Sequence, residues 1–179
     1  MAIDAKNATW LKPFEEIRHA VAADGQWSRV LGAPGADLPT CGIHLAVFVE
    51  PFLGYLLDGT KTIESRFSIT RQAPYEKVCK GDILLVKRSS GPIVGICRVG
   101  QVWFYNLDPE SWSYIREHFA RAICAQDPEF WKARESASYA TLLQVKNVLS
   151  VEPVNWPKRS RQGWVVVSPG TAPDGGDES

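Results

Sequence analysis

FVEPFLGYLLDGTKTIESRF, residues 48–67, decides the reading of this chain. Proline is tolerated in a first helical turn and PFLGYLLDG closes on Gly59, so a short helix is expected from Glu50-Pro51 to that glycine. The residues that follow alternate as a strand over 62–67. Strand side chains point to alternate faces, which puts Thr62, Glu64 and Arg66 on one face with Lys61 beside them at the strand entrance. Opposite charges are thereby placed to touch.

On either side of this stretch the apolar pattern predicts further short strands. Residues 43–49 form an apolar run suited to a buried strand, Gly81-Asp82 turns the chain into a strand over 83–87, and Gly91-Pro92 turns it into another over 93–102. Strand character returns at 142–154 and 164–167. Between them, helices are expected over 109–123 and from Asp127-Pro128, where an aspartate caps and a proline opens the first turn. Strands this closely spaced predict an antiparallel barrel with flanking helices, an α+β chain.

Upstream, Leu11, Phe14, Ile17 and Val21 recur at spacings of three and four, so residues 10–23 read as an amphipathic helix. Residues 25–42 are rich in Gly and Pro without a sustained period and read as a connection. The organisation expected is therefore an N-terminal helical extension and connection over 1–42, the main domain over 43–168, and a tail over 169–179. That tail, small, polar and acidic, is expected to be disordered.

A chain of 179 residues buries a sizeable core without disulfides or a bound metal. Its apolar share of 45% and charged share of 22% are those of an ordinary globular protein. Lys plus Arg equals Asp plus Glu at 20 each, so a nucleic-acid partner has to be met by a local patch, and long duplex DNA is a poor fit. Cys41, Cys79, Cys97 and Cys124 form no C-x-x-C pair and read as buried, reduced thiols; no metal site and no cofactor is expected. No segment approaches the roughly 18 apolar residues of a membrane span, and the charged N-terminus is unlike a secretory signal, so a cytoplasmic protein without membrane partners is expected.

The order G-x-K-x-x-E-x-R after a P-x-x-x-x-L-L-x-G helix resembles the ASCH family, with Gly59, Lys61, Glu64 and Arg66 at its four signature positions. KGDILLVKRSSGPIVGICRV resembles the two middle strands of that family and KRSRQGWVVV its closing strand, so the likeness spans residues 43–167. The resemblance implies a PUA-like β-barrel with a cleft beside the signature strand, a place for RNA, a nucleotide or a modified nucleoside. Some members hydrolyse acetylcytidine with a lysine, a threonine and a glutamate, and nuclease activity is attributed to others. Position by position, the lysine of those amidohydrolases falls on Lys61 and the arginine on Arg66, whereas their threonine falls on Glu64, a departure. Glu110, Glu117, Glu129 and Glu135 are available for their glutamate, and none is assigned.

Two chemistries follow for the trio. As a hydrolase, Lys61 would activate the attacking group or a water, Glu64 would transfer a proton and Arg66 would stabilise charge. As a binding site, Lys61 and Arg66 would contact phosphate or base edges while Tyr55, Phe67, Trp103 or Tyr105 stacked on the base. A carboxylate beside Lys61 favours the charged lysine and hence the second chemistry. A plainer reading makes Glu64 and Arg66 an ion pair that fixes the barrel mouth. Thr62, Lys87, Arg88 and Arg161 complete the expected substrate-binding set, Lys87 and Arg88 with Ser89 and Ser90 on a turn that is equally read as a solvated hairpin. Lys158, Arg159 and Arg161 precede Trp164, which leads an apolar run and reads first as core. His44, in an apolar strand, reads as a hydrogen-bonded structural histidine. The aromatics Trp103, Phe104, Tyr105, Trp112 and Tyr114 read as core or cleft wall. A protein-interaction adaptor stands as a third functional class, marked by an exposed apolar patch in place of a polar pocket near Lys61.

Overall fold

Apolar residues on both faces of the first strands require cover on both sides of a sheet, and the computed structural model provides it over residues 9–157 and 161–171. The elements are α1 (Leu11–Ala20), α2 (Gly25–Leu31), β1 (Ile43–Phe48), α3 (Phe52–Leu57), β2 (Ile63–Ser68), β3 (Ile83–Arg88), β4 (Ile93–Asn106), α4 (Pro109–Ile123), α5 (Pro128–Lys132), β5 (Tyr139–Val154) and β6 (Trp164–Ser168). The six strands form one curled half-barrel in the order β2-β5-β4-β3-β1-β6.

Four of the five strand pairings are antiparallel, as expected for the barrel. The fifth, β1 with β3, is parallel. Parallel neighbours need a crossover of a dozen or more residues. The segment between β1 and β3 supplies it by carrying α3 and then β2 to the opposite edge of the sheet. The pairing of the two long strands, β4 and β5, shifts register three times along its length. Such irregularities bend strands, which is how this sheet curls.

Period-two alternation sorts the strands between cores. Ile43, Leu45, Ile83 and Leu85 face outward under α1 and α2, packed with Phe14, Ile17, Trp27 and Leu31. Their neighbours Ala46, Phe48, Leu84 and Val86 face inward with Leu53, Leu56, Leu143 and Trp164. A third cluster joins Ile63 and Leu142 to Ile115, Ile123 and Trp131 beneath α4 and α5.

Residues 25–42, expected as a plain connection, contain α2. Asp24 caps it, its carboxylate accepting from the N–H groups of Gln26 at 3.0 Å and Trp27 at 2.9 Å. Seven residues hold too few apolar positions for a helical period, but Trp27 anchors the helix by burial and by donating its indole N–H to the Asn147 carbonyl at 3.0 Å. Arg18 on α1 is buried and donates to the Leu31, Ala36 and Asp37 carbonyls, tying the rest of that segment down. All four cysteines are free, but only Cys97 is fully buried; Cys79 is exposed and Cys41 and Cys124 lie between, because the latter three stand outside the strands and helices. No described helix is long and apolar enough to cross a membrane. Of the tail expected to be disordered, 172–179 lie outside the described residues.

His44 is fully buried and hydrogen-bonded, as the sequence suggests. Its Nε2 lies 2.9 Å from Asp82 Oδ2, and its Nδ1 faces the Trp164 indole nitrogen at 3.2 Å. An indole N–H only donates, so Nδ1 accepts and the ring proton sits on Nε2, directed at Asp82. Asp82 also accepts from the backbone N–H groups of Gly42 and Cys79. Position 42 must be glycine here, since a Cβ would lie 2.8 Å from the Asp82 carboxylate. Burial pushes the Asp82 carboxyl upward, but the bonds from His44, Cys79 and Gly42 outweigh it and leave the pKa below its ordinary value of 3.8. A depressed carboxylate pKa adds stability at neutral pH that is lost as pH falls through the folded value. Denaturant titrations should therefore show stability declining below about pH 4, with Asp82→Asn less stable at pH 7 and flatter across that acid limb.

Candidate functional site

Gly59, at φ 83, turns the chain out of α3 in a conformation that favours glycine. Lys61 N–H then donates to the Tyr55 carbonyl at 2.7 Å, which fixes the entrance to β2. From there the Lys61 side chain runs inward to 2% exposure. Its Nζ donates to the Ile123 carbonyl at 2.9 Å, the last residue of α4, where exposed carbonyls and the helix dipole favour a cation.

Glu64 is also buried, and a lone carboxylate there would be costly. Two cations offset the cost: Lys61 Nζ lies 3.3 Å from Oε2 and Arg66 Nε lies 2.7 Å from Oε1. The Arg66 Nε–H is not aligned for a hydrogen bond, so that contact is one of charge. The far end of the guanidinium donates from Nη2 to the Val47 carbonyl at 2.9 Å and from Nη1 to the Gly163 carbonyl at 3.3 Å. Phe48 and Trp164 flank it, their ring centroids 5.2 and 5.5 Å from Cζ. Arg66 thus stretches from β2, one edge of the sheet, to β1 and the segment entering β6, the other edge.

Two cavities open beside this arginine. One, of about 560 Å³, lies in the gap between the edges, lined by Arg66, Phe67 and Ser68 of β2, by Gly163–Val166, and by Gln72, Thr141 and Arg161. The other, of about 240 Å³, is lined by Lys61, Glu64 and Arg66 with Phe52, Phe130 and Arg134. Arg134 lies over the Phe130 ring, 3.7 Å from its centroid, and donates to the Phe130 carbonyl at 2.7 Å. Burial lowers its pKa most; Glu64 acts to raise it and Arg66 to lower it.

Lys61, Glu64, Arg66 and Phe67 therefore come together, with Arg161 across the first cavity; Tyr55 lines a third cavity next to the second. Other expected binders lie elsewhere. Thr62 is exposed just before β2 with its N–H on the Ala122 carbonyl. Lys87 is buried and donates to the Arg88 and Gly91 carbonyls, while Arg88 pairs with Glu50 at 2.9 Å. Trp103 packs edge-on against Phe119 beneath α4. Trp164 is both core and cavity wall. Lys158 and Arg159 lie outside the described residues. Sequence reading passed over Arg134, Gln72 and Gln162; the Phe130/Arg134 spacing of four was a local signal, but nothing local ties it to β2. Among the described residues no cluster of three His, Cys, Asp or Glu side chains is suited to a metal ion.

No family profile and no curated protein matches the sequence. Solved structures match the fold. ASCH from Zymomonas mobilis superposes with a TM-score of 0.56 at 12% identity, covering 69% of this chain and 86% of that one. Two single-substitution variants of the same protein give 0.55 at 11% identity, covering 69% and 88%, and 0.52 at 12% identity, covering 66% and 77%. The curled sheet, its flanking helices and these superpositions define an ASCH-type, PUA-like α+β fold.

Removing one member of a buried charge cluster leaves the others unpaired, at about 3–5 kcal/mol. Glu64→Leu should lower unfolding stability by about that amount. Adding Lys61→Met to it should cost less than the two single losses combined, a coupling readable from urea titrations of the four proteins.

Proposed function

We propose that this chain is a binding module for a nucleobase-bearing ligand, a nucleotide, modified nucleoside or RNA residue, received in the cavity between the β2 and β6 edges. The observation that carries the reading is the combination in one cavity of about 560 Å³ of two guanidinium groups, Arg66 and Arg161, with an indole wall and two unpaired strand edges. Its volume falls in the range of small-molecule sites. Edge strands offer backbone N–H and C=O groups to the rim of a flat heterocycle, Trp164 and Phe67 give it aromatic walls, and the arginines suit a phosphate. Gln72 and Gln162 add side chains that both donate and accept.

Binding is favoured over hydrolysis by how the trio is spent. Lys61 is held by the Ile123 carbonyl and by Glu64, and Glu64 faces two cations, so neither is disposed as a free base or nucleophile. The neighbouring Cys124 thiol is pushed up in pKa by burial, with Lys61 opposing, which keeps it from the reactive thiolate. In this reading Lys61 and Glu64 position Arg66, and Arg66 and Arg161 touch the ligand.

Calorimetric titration of the purified chain with the four nucleoside monophosphates and with acetylcytidine tests this directly. At least one should bind with micromolar to millimolar affinity, and Arg161→Ala, at an exposed position, should weaken it about tenfold without changing the melting temperature. Absence of binding to all five, or binding indifferent to both Arg161→Ala and Arg66→Met, would overturn the proposal. Chromatographic detection of cytidine released from acetylcytidine, lost in Lys61→Ala, would replace it with the hydrolase.

A further inference from the structure

The cavity between the sheet edges is the first of three in series. It shares Arg66 and Phe67 with the second cavity, and the second shares Phe52, Phe130 and Arg134 with a third of about 790 Å³. The third extends past Tyr55 to Arg121 at the end of α4. An arginine stands at each junction or end: Arg161, Arg66, Arg134, then Arg121. Aromatic rings line the spaces between, Trp164 and Phe67 in the first cavity, Phe52 and Phe130 in the second, Phe130 and Tyr55 in the third.

Charge along this line departs from that of the chain. Acidic and basic residues balance overall, yet the walls of the three cavities hold five cations against two carboxylates. Both carboxylates are occupied, Glu64 by its two cations and Asp127 by the Glu129 N–H it caps at the start of α5. Arg121 is exposed and its side chain makes no hydrogen bond or ion pair among the described residues, so its guanidinium is available to a ligand.

We infer that the three cavities form one track for a single-stranded oligonucleotide, with the residue in the first cavity continued by neighbours over Phe52, Phe130 and Tyr55 toward Arg121. Alternating cations and aromatics match the alternating phosphates and bases of a single strand, where stacking contributes about 1–3 kcal/mol per base. An acidic protein segment would engage the arginines but make no use of the rings beside them, of which Tyr55 is 37% exposed. The inference rests on the reading of the first cavity and extends it from one residue to several.

The test compares, by calorimetry on the full chain, the best-binding mononucleotide with the homohexamer of the same base; if no mononucleotide binds, a mixed-sequence RNA hexamer is used. The hexamer should bind at least about a hundredfold more tightly. Arg121→Ala should weaken the hexamer about tenfold, leave the mononucleotide unchanged, and reduce the slope of log affinity against log salt by about 0.7. A hexamer no tighter than its mononucleotide, or indifferent to Arg121→Ala, would overturn the track while leaving the first cavity intact. Failure of every mononucleotide and of the hexamer would remove both readings. Hexaglutamate that displaced the hexamer at equal concentration would overturn the track in favour of an acidic protein partner.

Discussion

Glu64 is the constraint on which the rest depends. A carboxylate at 4% exposure survives only if its charge is answered, and the sequence answers it twice within one turn of chain, from Lys61 and from Arg66. Each cation then does a second task with its remaining donors. Lys61 reaches the final carbonyl of α4 and so fixes the helical layer against β2. Arg66 reaches Val47 and Gly163 and so holds the two sheet edges at a set separation. Gly163 sits close enough that a Cβ would come within 3.1 Å of the guanidinium.

That separation explains why a cavity exists at all. Unpaired strand edges invite pairing with one another or with another chain. Here a planar cation spans the gap, bonded to carbonyl groups at its far end and lying between Phe48 and Trp164, so the edges neither join nor drift apart. The same contacts leave polar backbone facing a space walled by arginine, glutamine and indole. Trp164 links this site to the buried His44–Asp82 network behind it, since its indole nitrogen is fixed by His44 while its ring lines the cavity.

Much of this was legible in the residues, and the parts that were not share a cause. Apolar alternation located every strand to within a few residues, and Pro51, Gly59, Asp127 and Pro128 marked helix ends through local chemistry. The grouping of Lys61, Glu64 and Arg66 was legible because strand geometry alone aligns their side chains. Contacts across the fold were not. Arg134 joins the site only because Lys61 ties α4 to β2 and α5 follows α4. Trp103 and Lys87 carry the right side chains for a binding site, yet the sheet turns one under α4 and bonds the other to the carbonyls of its own hairpin. The parallel pairing of β1 with β3 depends on where the crossover travels, which no short window records. Helix α2 was hidden by brevity, its stability coming from a cap and one buried tryptophan.

The most direct measurement of the central claim is a backbone and arginine side-chain NMR titration with a nucleoside monophosphate. The account predicts shifts concentrated at the amides of Phe67, Ser68, Gln162, Gly163 and Trp164 and at the side chains of Arg66 and Arg161, residues that line the gap between the sheet edges. Shifts confined to the separate hollow lined by Trp112, Arg116 and Trp131, or spectra unchanged at saturating nucleotide, would contradict it.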